Sequence, residues 1–411
     1  MRVKRILHPV GHGAFFSEHF FEMRTGKNVF NVVYDCGAKL LPKGMREEEI
    51  DNTFNTLDRK HVDYLFISHL DDDHVNGIHH LVKNGWVDDM TTFVLPLFKD
   101  YELAIYDDIY GAGTLAVFDG FRTNLFRRVI FVPISDDVIA GNDYREIPME
   151  ADFDNIEGEL ITVNGLQGKR INAASRFVWN KIWEYIPINL HDSTSKLFYS
   201  KLKNHPDLQG LDLDAVKNIF TNRCHPLVRN KTPEQIDANK KFKALKEICN
   251  SVGTPIKGDR LININSLAVV SQAVDKVSVK LSYFDEVRMF EAGFPRPLYD
   301  FWASDGHGTC TYSGDLNLRL EQDFDLFEKK VTGVLRGAPA LQLLQIPHHG
   351  SKTSYNKRFC GGLSGACFVN YNSGNNIFDQ RIMFDFFSAR KYLMPVTEIE
   401  SSRVEQEFLT K

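Results

Sequence analysis

At 411 residues, with 43% hydrophobic and 25% charged side chains and a formal charge of −5, the chain has the composition of a globular protein with a large core. No apolar run approaches the ~20 residues that span a bilayer, and Pro9, Gly11 and Gly13 interrupt the basic start, so neither a membrane partner nor a secretory leader is expected and the default address is the cytoplasm. The acidic total does not mark a nucleic-acid binder, and six scattered cysteines without a CxxC pair argue against a zinc ribbon or disulfide framework.

Strands lead the chain. Residues 29–34 are apolar and β-branched and stop at Asp35-Cys36-Gly37. Residues 64–68 repeat the pattern and run into Ser68-His69-Leu70-Asp71-Asp72-Asp73-His74, after which 76–83 reads as a helix. Further strands are expected over 93–97, 129–133 and 160–163. The character changes between 170 and 258. There, 177–185, 212–220 and 233–249 read as helices, and Gly253-Thr254-Pro255 with Gly258-Asp259 marks the end. This stretch is read as a mainly helical insertion within one domain covering 1–411. From Lys201 to Arg260 it holds twelve Lys/Arg against seven Asp/Glu, a local +5. Strands resume over 267–272, 277–284, 309–312, 343–346 and 366–371.

The loop after the strand at 64–68 carries the chemistry. Two imidazoles and three carboxylates fall within six positions, and His69, Asp71, Asp73 and His74 can turn into one pocket. Nitrogen and oxygen donors converging in this way bind a divalent metal. One loop rarely completes such a site, and three other strand ends offer donors: Asp35, Asp315 in Ser313-Gly314-Asp315, and His348-His349 in Pro347-His348-His349-Gly350-Ser351.

Taken in order, these motifs resemble the metallo-β-lactamase-fold hydrolases, in the branch found as the soluble domain of the DNA-uptake protein ComEC. The resemblance is carried by Val10-Gly11-His12-Gly13-Ala14, the strand ending Asp35-Cys36-Gly37, the His-x-Asp-x-Asp-His of His69 to His74, Asn265-Ser266-Leu267, Gly314-Asp315 and Pro347 to Ser351. It implies an α/β fold, the αββα sandwich, interrupted here by the helical insertion. His12 and Ala14 depart from the family's early motif, which makes His12 a candidate to line the site. Asn375-Asn376-Ile377-Phe378-Asp379 has no His where the family often has Tyr-Gly-His-Pro. ComEC's membrane channel is absent, so a transport role does not carry over.

The resemblance also implies two divalent ions. His69 and Asp71 would serve one, Asp73 and His74 the other, with Asp315 bridging and His348 closing, His349 in reserve. Asp35 would orient a ligand from behind. Asn265 or Ser266 stands where the first ion usually has a third His. Trading imidazoles for harder oxygen donors favours Mn²⁺, then Zn²⁺, with Mg²⁺ also accommodated. Asp73 would accept the proton of an activated water, and Ser351 and Lys352 would touch a phosphate oxygen.

The expected function is a stand-alone metal-dependent phosphodiesterase, a nuclease acting on DNA or RNA in antiviral defence or DNA processing. Arg223, Arg229 and Lys231, near Phe220 and His225 in sequence, would guide the polyanion. The insertion is alternatively a dock for a regulatory protein partner. Two rival functions remain open from sequence: hydrolysis of a small ester, lactone or nucleotide with the same metals, and a non-catalytic binding module on a decayed site.

Overall fold

The computed structural model describes residues 1–42, 44–98, 126–134, 144–163, 165–190, 193–224, 228, 230–252, 266–283, 306–336, 341–374 and 378–410. In chain order the strands of the first half are β1 (Arg2–Leu7), β2 (Phe15–Phe21), β3 (Asn28–Cys36), β4 (Tyr64–Phe66), β5 (Thr92–Pro96), β6 (Arg128–Val132), β7 (Arg145–Pro148), β8 (Glu159–Val163), β9 (Leu166–Arg170), β10 (Ser175–Trp179) and β11 (Trp183–Asn189). The second half supplies β12 (Leu267–Ala273), β13 (Val277–Tyr283), β14 (Cys310–Tyr312), β15 (Leu341–Gln345), β16 (Ser364–Asn370), β17 (Tyr392–Val396) and β18 (Val404–Thr410). The helices are α1 (Met45–Phe54), α2 (Asp72–Val75), α3 (Ile78–Lys83), α4 (Ser193–Asn204), α5 (Leu213–Asn222), α6 (Pro233–Val252), α7 (Glu321–Val334) and α8 (Arg381–Ser388).

Among the described residues the strands form two mixed sheets, ordered β13-β18-β1-β2-β3-β4-β5-β6-β9-β8 and β17-β16-β15-β14-β12-β11-β10-β7. Period-2 alternation decides how they stack. Tyr64 and Phe66 of β4 join the aromatic core between the sheets, with Phe177, Tyr185, Tyr312 and Phe368. Leu65 and Ile67 point the other way, into a core with Ile50 and Phe54 of α1 and Ile78 and Leu81 of α3. In β12, Leu267 and Val269 face the first sheet, whereas Ala268 and Val270 pack under Phe324, Phe327 and Val331 of α7 and Ile382 and Phe386 of α8. Helix, sheet, sheet and helix are therefore held by three apolar layers. This is the αββα sandwich.

A buried ion pair crosses the middle layer. Arg5 Nε donates to Glu18 (2.6 Å), and Arg5 also reaches Gln406 and Ser271. Glu18 accepts from Tyr185 and Tyr312 of the opposite sheet (2.6 and 3.0 Å) and from Ser271. Burial alone would raise the Glu18 carboxyl, but Arg5 and the hydroxyl donors hold it below its usual value.

The helical segment differs from the sequence reading at its start. Residues 177–185 lie in β10 and β11, where Phe177 pairs with Tyr185 and Trp179 with Trp183. Asn180 and Lys181 both take left-handed φ (47° and 55°), as a tight hairpin turn requires, with Lys where Gly is usual. The helices proper begin at Ser193. They build a small core of their own from Phe198, Leu202, Val216, Ile219, Leu245 and Ile248. Asp212 caps α5 through the Ala215 N–H (2.7 Å), and Thr232 and Gln235 form a reciprocal capping box before α6. No helix among the described residues is long and apolar enough to cross a membrane.

Candidate metal centre

Parallel pairing of β3 with β4 and of β14 with β15 brings four strand ends to one edge of the sandwich. Loops leaving parallel strands at their carboxyl ends are where α/β proteins place ligands. A β-bulge falls at Asp35, between the pairs Phe16–Tyr34 and Phe15–Cys36, and gives that residue a φ of 52°. His348 and His349 also hold left-handed φ, 51° and 53°. Backbone strain of this kind persists where the surroundings over-determine it, as in sites built for chemistry. Gly314 (φ 52°) has no alternative: a Cβ there would lie 2.4 Å from Ser266 Oγ and 2.7 Å from Ser68 Cβ.

Two buried donor clusters result. In one, Asp73 Oδ2 lies 3.1 Å from His12 Nε2 and 3.2 Å from His349 Nε2. In the other, Asp315 faces His74 Nε2 (3.3 Å) and His69 Nε2 (3.8 Å). They adjoin, for His349 Nε2 is 3.9 Å from Asp315 Oδ1. Asp71 Oδ2 is 4.0 Å from His69 Nε2, on the flank of the second cluster.

Supporting groups aim the rings. Asp35 accepts from the Ser68 N–H (2.7 Å) and hydroxyl (2.6 Å) and meets His74 Nδ1 at 2.8 Å, which turns His74 Nε2 inward. His349 Nδ1 is held by the Asn370 carbonyl (3.0 Å). Ser266 Oγ accepts from the Asp315 N–H (2.9 Å) and lies 3.4 Å from His69 Nδ1. Ser266 thus stands behind His69, opposite the nitrogen that faces the cluster, and it positions rather than ligates.

The donor set fits divalent cations. The Nε2 atoms of His69, His74 and His349 are buried without a well-formed hydrogen bond to any described residue. Asp35, Asp71, Asp73 and Asp315 are all buried, and Lys39 Nζ, 2.7 Å from Asp73 Oδ1, is the lysine that meets them among the described residues. So much buried negative charge is costly unless cations share the space. Burial opposes charge on His74, yet Asp315 and Asp35 outweigh it and hold the imidazole well above its usual value. Burial and then the neighbouring His74 push His69 down to about 3. Asp73 stays well below the carboxylate range because the adjacent imidazoles of His12 and His349 outweigh its burial. Burial and the charge on Asp73 raise Asp71.

The grouping departs from the sequence expectation in two ways. His74 sits with His69, not with Asp73. Consecutive residues on the short helix α2 point about 100° apart, so Asp73 and His74 diverge. His349, not His348, joins Asp73, while His348 is less buried (16% exposed), with Nδ1 on Ser354 Oγ (2.9 Å). Of the residues expected to touch a phosphate, Ser351 Oγ bonds Thr353 Oγ1 (2.7 Å), and Lys352 is exposed near Asp379. Arg223 is exposed and stacks over Phe242 (4.5 Å), Lys231 is half-buried ahead of α6, and Asn265, His225 and Arg229 lie outside the described residues. Lys39 went unnoticed in the sequence. Its only signal is a position just beyond Asp35-Cys36-Gly37.

No family model matches the chain, and no curated protein matches it. Among solved structures it is similar to a long-form RNase Z from yeast, with a TM-score of 0.32 and 11% identity over 98% of this chain and 41% of that one. It is also similar to the metallo-β-lactamase MIM-1 from Novosphingobium pentaromativorans, with a TM-score of 0.28 and 10% identity over 94% of this chain and 89% of that one. The chain thus spans about two-fifths of the yeast enzyme's length. At these scores neither likeness speaks to activity. The sandwich carries two adjoining buried His/Asp clusters that could each hold a divalent ion.

Proposed function

We propose that this chain is a metal-dependent phosphodiesterase acting on nucleic acid, in keeping with its ComEC-like motifs. One observation carries the reading: two buried His/Asp clusters adjoin through His349 and Asp315. Divalent ions bound there would supply Lewis acidity, activating a water and offsetting the charge that builds on a phosphoryl group during displacement. The chain's own residues supply the rest. Asp35 and Ser68 fix the His74 ring, Asn370 fixes His349, and Lys39 places a positive charge at the rim, where an anionic substrate arrives. Asp73, kept ionised by its neighbours, would serve as a ligand of an ion bound there. The basic helical segment, with Arg223 stacked over Phe242, supports a polyanionic substrate.

Each cluster has two imidazoles and one carboxylate. That is richer in nitrogen than the sequence expectation, because His12 joins Asp73. Such a set suits Zn²⁺ and Mn²⁺ and disfavours Mg²⁺, which prefers oxygen ligands.

The test is incubation of the purified protein, loaded with Zn²⁺ or Mn²⁺, with end-labelled single- and double-stranded DNA and RNA, beside chelator and Asp73→Ala controls. Cleavage lost in both controls is expected, and product lengths distinguish internal from terminal cutting. The depth of the donors favours one second reading, hydrolysis of a small nucleotide or ester in a narrow site. Turnover of bis(p-nitrophenyl) phosphate or a mononucleotide ester, with every polymer left intact, would select it.

A further inference from the structure

The His69/His74/Asp315 cluster has three donors, and the position before β12 offers it a serine turned to the back of His69. The structure holds another imidazole that can take that place. His348 Nε2 lies 3.8 Å from Asp315 Oδ2, the same oxygen and the same distance as His69 Nε2. His349 Nε2 instead lies 3.2 Å from Asp73. The two neighbouring rings stand 6.2 Å apart at 75°, so one turn of backbone sends them in different directions.

We propose that the tandem imidazoles are divided between the two ions. His348 is the fourth donor of the His69/His74/Asp315 cluster, and His349 belongs to the His12/Asp73 cluster. Four N and O donors at 2.0–2.1 Å around one tetrahedral ion lie about 3.3 Å from one another. His69 and His348 stand 3.8 Å from Asp315 Oδ2 and His74 stands 3.3 Å from Oδ1, near that spacing. His348 lies outside the tight group of His69, His74 and Asp315, and its ring would turn inward to complete the set. With Nδ1 2.9 Å from Ser354 Oγ, the ring turns Nε2 toward Asp315. The left-handed φ of both residues sets the directions in which the two rings leave the backbone. Cluster identity then follows: His348, His69 and His74 with Asp315 make a three-imidazole site.

Metal counting tests the division without reference to any substrate. The chelated full chain is titrated with Zn²⁺ by calorimetry, and ions retained after gel filtration are counted. The native protein is expected to hold two. His348→Ala should hold one tightly, with the other weakened at least ~100-fold, the upper range already seen for lost supporting groups. His349→Ala should lose the opposite ion, so the doubly substituted chain holds neither tightly. Co²⁺ spectra of the two single variants should differ, because a different coordination sphere remains in each. His348→Asp, which restores a donor, should recover the second ion, and Ser354→Ala should weaken it modestly. Two ions bound to His348→Ala with native affinities would overturn the division, as would loss of both ions from a His348→Ala chain whose metal-free unfolding matches the native one. Failure to cut nucleic acid would leave these counts unchanged, so the functional reading and this one fail separately.

Discussion

Two regions of this molecule bury charge, and they do so in opposite ways. Between the sheets, Arg5 uses Nε, Nη1 and Nη2 on Glu18, Gln406 and Ser271, and Glu18 accepts from both Tyr185 and Tyr312. That network satisfies both of its charged groups, and Gln406 Nε2 is its one buried atom without a partner among the described residues. At the sheet edge, the donors converge but do not satisfy one another: three imidazole Nε2 atoms and Asp71 Oδ1 are buried without a well-formed hydrogen bond to a described residue. A polar cluster that saturates its own groups holds a fold together, whereas one that leaves nitrogens and oxygens facing a common point is arranged for something it binds.

Substitutions in the two regions should therefore have opposite signatures. Asp73→Ala removes the carboxylate shared by His12 and His349. Hydrolysis is expected to fall at least ~10⁴-fold, about 5 kcal/mol of transition-state stabilisation, with the ion at that cluster lost. Single-turnover rates with metal analysis check both. Glu18→Ala leaves the Arg5 guanidinium buried without its counter-charge and should cost about 4 kcal/mol of folding free energy by urea unfolding. Metal stoichiometry in the folded fraction should be unchanged. If Glu18→Ala lost an ion, the two regions would be coupled and the contrast would fail.

Metal removal is the next largest effect. Ions that bind only the folded chain stabilise it by about 2.7 kcal/mol each when free metal is a hundred times Kd. The melting temperature should rise with Zn²⁺ concentration in the native protein and in Glu18→Ala alike. It should lose part of that dependence in Asp73→Ala. A melting temperature indifferent to chelator would contradict a metal centre of any kind.

Much of the site was legible because its chemistry is local in sequence. The loop from Ser68 to His74 displays its donors within seven residues, and Gly314-Asp315 and Pro347 to Gly350 end strands whose apolar patterns are clear. The partition of donors was not legible, because it depends on how far backbone turns between neighbours, at Asp73-His74 on a helix and at His348-His349 with left-handed φ. Lys39 could not be singled out, since what brings it to Asp73 is a backbone bridge to His12. In the fold, period-2 patterns located most strands, but β10 and β11 are buried on both faces and so lack the alternation that marks a strand. Their turn uses Asn180-Lys181, not a glycine pair. The pairing of β1 with β18 joins the two ends of the described chain, Arg2 to Leu409, and no local signal reports a partner that distant.

A second closed network sharpens the comparison through pH. Under α1, His8 Nε2 meets Ser17 Oγ (2.7 Å), Ser17 Oγ meets His19 Nε2 (2.9 Å), and His19 Nδ1 meets Asn31 Oδ1 (2.7 Å). Burial pushes the His19 imidazole down to about 4. Its value in the unfolded chain is about 6.5. The unfolded chain therefore binds the extra proton first as pH falls, so His19 contributes fully above pH ~6.5 and its contribution is lost as pH drops toward ~4. Between pH 7 and pH 5 that amounts to about 2 kcal/mol. Urea midpoints of chelated protein across this range should fall less steeply in His19→Gln than in the native chain. The difference between the two slopes should persist when Zn²⁺ is restored, because a network that closes on itself has nothing to gain from an ion. A difference that vanished with Zn²⁺ would instead join His19 to the metal centre and erase the distinction between closed and open clusters in this fold.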